Sequence, residues 1–142
     1  MRKRITIQTC GLVLGLLVAG CGGSSAVEKP PSTPPQIGWV ADLTTRQHGV
    51  TGRVTVMSAT TFSVTNFNYD GGGLPDVRFY AGQQDRYAAG FAFGPQLAGV
   101  PAAGTTLTLQ LPAGRTLADL DGVSVWCVRA AVSFADARFR AP

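Results

Sequence analysis

Histidine is nearly absent from this sequence: His48 is the only one among 142 residues. That excludes imidazole-rich metal sites and dinuclear centres, which draw on several such ligands. Cysteine is scarce as well, with Cys10, Cys21 and Cys127 the full set. Charged residues make up 14% of the chain, and the arginines from Arg46 onward stand singly, so no basic patch in that part marks a nucleic-acid partner. No segment shows a convincing 3.6-residue apolar period, which leaves little room for an α-helical domain. Nor does any apolar run reach the about 20 residues needed to span a bilayer.

What is present begins with Arg2, Lys3 and Arg4, followed by a short apolar run ending in small residues at Gly20. A basic start, a short apolar stretch and small residues before a cut describe a secretory signal peptide over residues 1–20. Cys10 lies inside that segment and is expected to leave with it. The stretch LVAGC, Leu17 to Cys21, resembles the lipobox of bacterial lipoproteins. The resemblance implies cleavage before Cys21 and a diacylglycerol thioether on its sulfur, which makes Cys21 the expected lipid attachment site. The following residue is Gly22 rather than aspartate, which favours the outer membrane if the cell is Gram-negative. The expected location is therefore the bacterial cell envelope, with the membrane held through the lipid.

Loss of Arg2, Lys3 and Arg4 leaves nine basic residues against eight acidic ones. The pI near 9.3 thus reflects the signal segment to a large extent and argues for no nucleic-acid partner. Residues 21–37 join the anchor cysteine to "GGSSAVEKPPSTPPQ", whose prolines and small polar residues offer no face to bury. This composition reads as a tether. Residues 38–142 are enough for one domain with a single modest core.

Within that domain the apolar period is two. "TTLTLQL" sets Leu107, Leu109 and Leu111 on one face, and "VTGRVTV" does the same with Val50, Val54 and Val56. Gly52 marks a bulge or a close approach inside the second of these. "TFSVTNF", "DVRFYAG" and "RYAAGFAF" are further β-branched or aromatic runs, separated by turn clusters such as "YDGGGLPD". "TLADLD" has the length of one helical turn, with Thr116 as its cap. The fold class is all-β, a single antiparallel β-sandwich or barrel-like sandwich.

"GVSVWCVRAAV" is apolar on both faces, as in a central strand, which places Cys127 deep and turns Trp126 to the opposite side. Cys127 is the one unpaired thiol of the domain. On the residues alone it reads as a small core hydrophobe, a redox thiol or a cofactor ligand. His48 reads as a polar residue ahead of the first strand, Asp70 and Asp76 as turn residues, and Asp119 and Asp121 as turn or cap residues. No metal site and no catalytic set is legible, and nothing marks an enzyme acting on its own.

The stretches "HGVTGRVTVMSATTFSVTNFNYDGGGLPDVRFYAG" and "TLTLQLPAGRTLADLDGVSVWCVRAAVSFADARF" resemble the DM13 domain over about residues 48–139. The most specific pieces are "NFNYDG", "PDVRF" and above all "SVWC", Ser124 to Cys127. This resemblance implies an extracytoplasmic domain of an electron-transfer family. It makes Cys127 a naked thiol or the ligand of a prosthetic group such as haem, and implies an envelope protein or redox partner. Leu74 stands where many relatives carry a glycine before "PDV", a change in the turn that leaves the cysteine alone. The alternative is a non-catalytic interaction module with Cys127 as an inert core residue.

Overall fold

The computed structural model describes residues 32–142; the expected signal segment, Cys21 and the first part of the tether lie outside the described residues. Eight strands follow in order: β1 Val40–Thr45, β2 Thr51–Val56, β3 Thr61–Tyr69, β4 Val77–Gly82, β5 Phe91–Gln96, β6 Ala102–Gln110, β7 Gly122–Cys127 and β8 Val132–Arg138. Every pairing is antiparallel, and the sheet order is β5-β4-β7-β8-β1-β2-β3-β6. The two edges, β5 and β6, curl toward each other into a nearly closed barrel. Phe93 of β5 meets Phe62 of β3 at 5.3 Å between ring centroids, so side chains seal the seam that the hydrogen bonds leave open. The all-β expectation holds, in its barrel form. Among the described residues no helix is long and apolar enough to cross a membrane.

The period-two pattern is what turns one face of each strand inward. Val50, Val54 and Val56 are fully buried, as are Phe62, Val64 and Phe67 on β3 and Val123 and Val125 on β7. Burial of each such side chain contributes about 1.5–3 kcal/mol, so this continuous core is the main stabilising term. The β2–β3 register shifts between Thr51 and Arg53, around Gly52, whose backbone approaches Phe67. A second shift on the β3–β6 ladder lies between Val64 and Phe67, where Asn66 takes φ 52°. Asparagine tolerates that left-handed conformation better than most side chains. These two irregularities add the local twist that a small barrel needs.

Three local expectations need correction. Val40–Thr45 forms a strand, so His48 follows the first strand and sits in the β1–β2 turn rather than ahead of the sheet. "RYAAGFAF" is not one strand: Tyr87–Ala89 makes a short 3-10 turn, and β5 starts at Phe91. There Tyr87 lies buried against Trp126 on the outer face of the sheet, at 6.4 Å between centroids. The apolar run through Cys127 ends as a strand at Cys127 itself. A turn over residues 128–131 follows, with Val128 N–H bonded to the Asp76 carbonyl at 2.9 Å and Ala131 at φ 52°. The turn at "TLADLD" does form, over Leu117–Asp119. Thr116 caps it and Asp119 completes a capping box.

Both ends of the barrel are defined by this topology. The starts of β1 and β7 and the ends of β4 and β8 share one end, where the chain enters at residue 32. The opposite end gathers the loops at residues 46–50, 70–76, 97–101 and 128–131, together with Cys127.

Candidate functional site

Cys127 closes β7, paired with Val77 of β4 on one side and Val132 of β8 on the other. The flanking strands put it third from the sheet edge, and alternation along "GVSVWC" turns its side chain into the core. It is unpaired and has no solvent exposure. Trp126, its neighbour in sequence, faces the other way and packs beside Tyr80 and Tyr87.

The cover over this end is a clasp between two loops. His48 Nδ1 lies 3.1 Å from both carboxylate oxygens of Asp70, and Asp70 N–H donates to the His48 carbonyl at 3.2 Å. Asp70 Oδ1 also accepts the Gly72 N–H at 2.6 Å, bending the glycine loop back on itself. The His48 ring packs on Phe134 at 4.4 Å, while the Tyr69 hydroxyl donates to the Gly72 carbonyl. A side chain at Gly72 would meet His48 Nδ1 at 2.5 Å, and one at Gly73 would meet the Phe134 ring at 2.7 Å. Glycine lets the loop lie this close.

Burial raises the Tyr69 pKa, with smaller contributions in the same direction from the Asp70 carboxylate and Cys127. The phenol therefore stays protonated, as a donor to Gly72. The Gly72 N–H is the main cause of a lowered Asp70 pKa, and His48 adds to it. A carboxylate lowered in the folded state supports the loop fully above its ordinary value of 3.8 and loses that support as pH falls through the lower folded value. The Gly72 amide resonance should accordingly titrate with a midpoint below 3.8, and Asp70→Asn should abolish the transition. A midpoint at or above 3.8 would contradict the clasp.

Several residues singled out in the sequence do not join this site. Asp76 is held by Arg78 and Gln96, so it shares nothing with Asp70. Asp119 and Asp121 lie at the other end of the barrel, where Asp121 accepts the Gln84 N–H at 2.9 Å. The His48–Asp70 contact escaped the sequence reading because it joins two loops 22 residues apart. The asparagine-aspartate pattern of "NFNYDG" signals a turn but not its partner.

Chemically the arrangement is a sealed thiol under a polar clasp. Among the described residues no three His, Cys, Asp or Glu side chains gather as a metal set. Cys127 has no exposed surface toward which a prosthetic group could present its iron. A haem or metal held by this sulfur does not fit the domain as folded.

A family model described as "Electron transfer DM13" matches residues 42–139. The chain is also similar to two curated proteins of Drosophila melanogaster, "Protein Skeletor, isoforms B/C" and "Protein Skeletor, isoforms D/E". Each is 37% identical over 133 residues, which cover 88% of this chain but 16% and 9% of the respective relatives. No solved structure matches the chain significantly. The match spans seven of the eight strands in full and most of the first, with the whole Cys127 end, and the chain belongs to the DM13 electron-transfer family.

Proposed function

We propose that this chain is a lipid-anchored cell-envelope protein whose domain serves as a thiol-based redox accessory, with Cys127 as the redox group. The observation that carries the reading is the setting of that sulfur in an electron-transfer family. It is unpaired, at the end of a central strand, and at the barrel end where the His48–Asp70 clasp, the Tyr69 hydroxyl and the Gly99 amide hold the glycine loop. Opening the Asp70–Asp76 loop exposes it without unfolding the barrel.

The step is thiol–disulfide exchange with a partner disulfide. Cys127, as thiolate, attacks one partner sulfur, an S–S bond forms between them, and the partner's own S–S bond breaks. The electron pair leaves on the second partner sulfur, which takes up a proton from solvent in place of the one Cys127 released. Among the described residues there is no second cysteine, so a separate dithiol donor resolves the mixed disulfide: its first thiol attacks the Cys127 sulfur and releases the reduced partner, and its second then releases Cys127 as a thiol, leaving the donor as a disulfide. The domain's two ends suit this role: the described chain leads into β1 at one and Cys127 sits at the other.

Rapid acid quenching of cells followed by thiol alkylation tests this reading. Part of the full chain should be recovered as a mixed disulfide through Cys127, and Cys127→Ser should remain abundant while losing the adduct. A second reading, the inert interaction module, draws on the complete burial of the thiol. Recovery of Cys127 wholly reduced, with Cys127→Ala replacing the wild type in cells, would favour that module and overturn the redox role.

The anchor is tested separately. Cys21→Ser should release the protein from membranes, because no second apolar segment follows the tether. A variant that still sediments wholly with membranes after a high-salt wash would refute the lipid attachment at Cys21.

A further inference from the structure

Charges on this domain are almost all spent on each other. Every aspartate among the described residues has a basic side chain beside it: Arg53 and Arg140 at Asp42, the His48 imidazole at Asp70, Arg78 at Asp76, Arg138 at Asp85 and Asp121, Arg115 at Asp119, and Arg46 at Asp136. Arg86 has no acidic partner among the described residues. It lines a recess of about 280 Å³ at the barrel end opposite Cys127, with Arg115, Gln83, Phe91 and Asp119 around it.

The recess is built rather than incidental. Gln83 donates its amide to the Ala118 carbonyl at 2.8 Å, tying the loop after β4 to the loop before β7. Arg115 is stacked over the Phe91 ring at 4.4 Å, which fixes the guanidinium against an apolar wall. Its acidic neighbour does not neutralise it fully. Asp119 Oδ1 stands 3.8 Å from Arg115, beyond hydrogen-bond reach, and Asp119 Oδ2 already accepts the Thr116 N–H at 2.7 Å. Two guanidinium groups with unmet donors thus line one small concavity containing a single, partly engaged carboxylate. Planar guanidinium forks match the oxygens of phosphate and carboxylate groups better than any other ligand chemistry.

We infer that this recess is a binding site for a small phosphate-class oxyanion, held by Arg86 and Arg115 with Phe91 as the wall for any apolar part. Its volume sits at the lower limit of small-molecule sites, which suits a phosphate group rather than a large cofactor. The site lies at the end where the chain enters, so the phosphate has two sources, a free ion or ester and the headgroup of an anionic lipid. The inference is independent of any role for Cys127.

The test uses the full chain, labelled for amide NMR, in phosphatidylcholine nanodiscs and, in parallel, as purified in solution. Inorganic phosphate is added at constant ionic strength held with chloride. In a separate arm, phosphatidylglycerol replaces part of the phosphatidylcholine. Shifts of the Gly82, Gly90 and Phe91 amides with inorganic phosphate identify a soluble ligand, and shifts only with phosphatidylglycerol identify the lipid headgroup. In either case Arg86→Ala and Arg115→Ala should each weaken the effect about tenfold. Both side chains are exposed, so these variants keep the fold. Absence of shifts with both probes, or shifts that persist undiminished in both variants, would overturn the site. A chain that fails to associate with nanodiscs yet responds to phosphate in solution would count against the anchor and in favour of the recess.

Discussion

Replacing Phe67 with alanine should cost about 3–5 kcal/mol, a large share of the stability of a domain of this size. Phe67 is fully buried and packs on Phe79 at 5.3 Å and near Tyr69 at 6.4 Å. It also lies across the bulge at Gly52, where an added Cβ would come within 3.3 Å of the Phe67 Cα. The surrounding strands are held by their ladders and cannot collapse into the space, so the cavity term adds to the lost transfer term. Urea unfolding of the full chain should show a lower midpoint with an unchanged slope. A loss below about 1 kcal/mol would mean that the core repacks around Phe67 and does not depend on it.

Gly90→Ala should destabilise by about 3 kcal/mol through a different cause. A Cβ there would overlap the carbonyl oxygen of Ala81, a backbone atom of β4 that has no flexible end to give way. Its φ of −85° is ordinary, so the problem is space and not conformation. The change would push β5 from β4 and loosen the Tyr87–Ala89 turn, whose Tyr87 ring packs on Trp126. Tryptophan fluorescence should therefore change along with the unfolding midpoint. Wild-type stability in this variant would show that the β4–β5 edge is loose.

Strands with strict alternation were legible because their inward residues are set by a local period. Val50, Val54 and Val56, or Leu107 through Leu111, need no knowledge of the partner strand. The depth of Cys127 was legible for the same reason, since apolar residues on both faces call for cover on both faces. β1 was not, because Val40 and Ala41 are adjacent and both buried, and Asp42 interrupts the run. Its Asp42 is drawn outward to Arg53 and Arg140, a tertiary pairing with no local signature. Tyr87 misled for a related reason: an aromatic buried on the outside of a sheet has the same composition as one inside. The clasp at His48 and Asp70 and the recess at Arg86 and Arg115 both arise where separate loops meet, and no periodicity within either loop encodes the meeting.

The rate at which native Cys127 reacts with an aromatic disulfide reagent tests the central claim most directly. If the thiol is served by opening of the Asp70–Asp76 loop, modification should be slow but faster than global unfolding allows. Asp70→Asn, which removes the carboxylate that holds His48 and Gly72, should accelerate it about tenfold with little change in the urea midpoint. Modification that proceeds only at the rate of global unfolding, and is untouched by Asp70→Asn, would contradict a redox role for Cys127 and leave it a packed core residue.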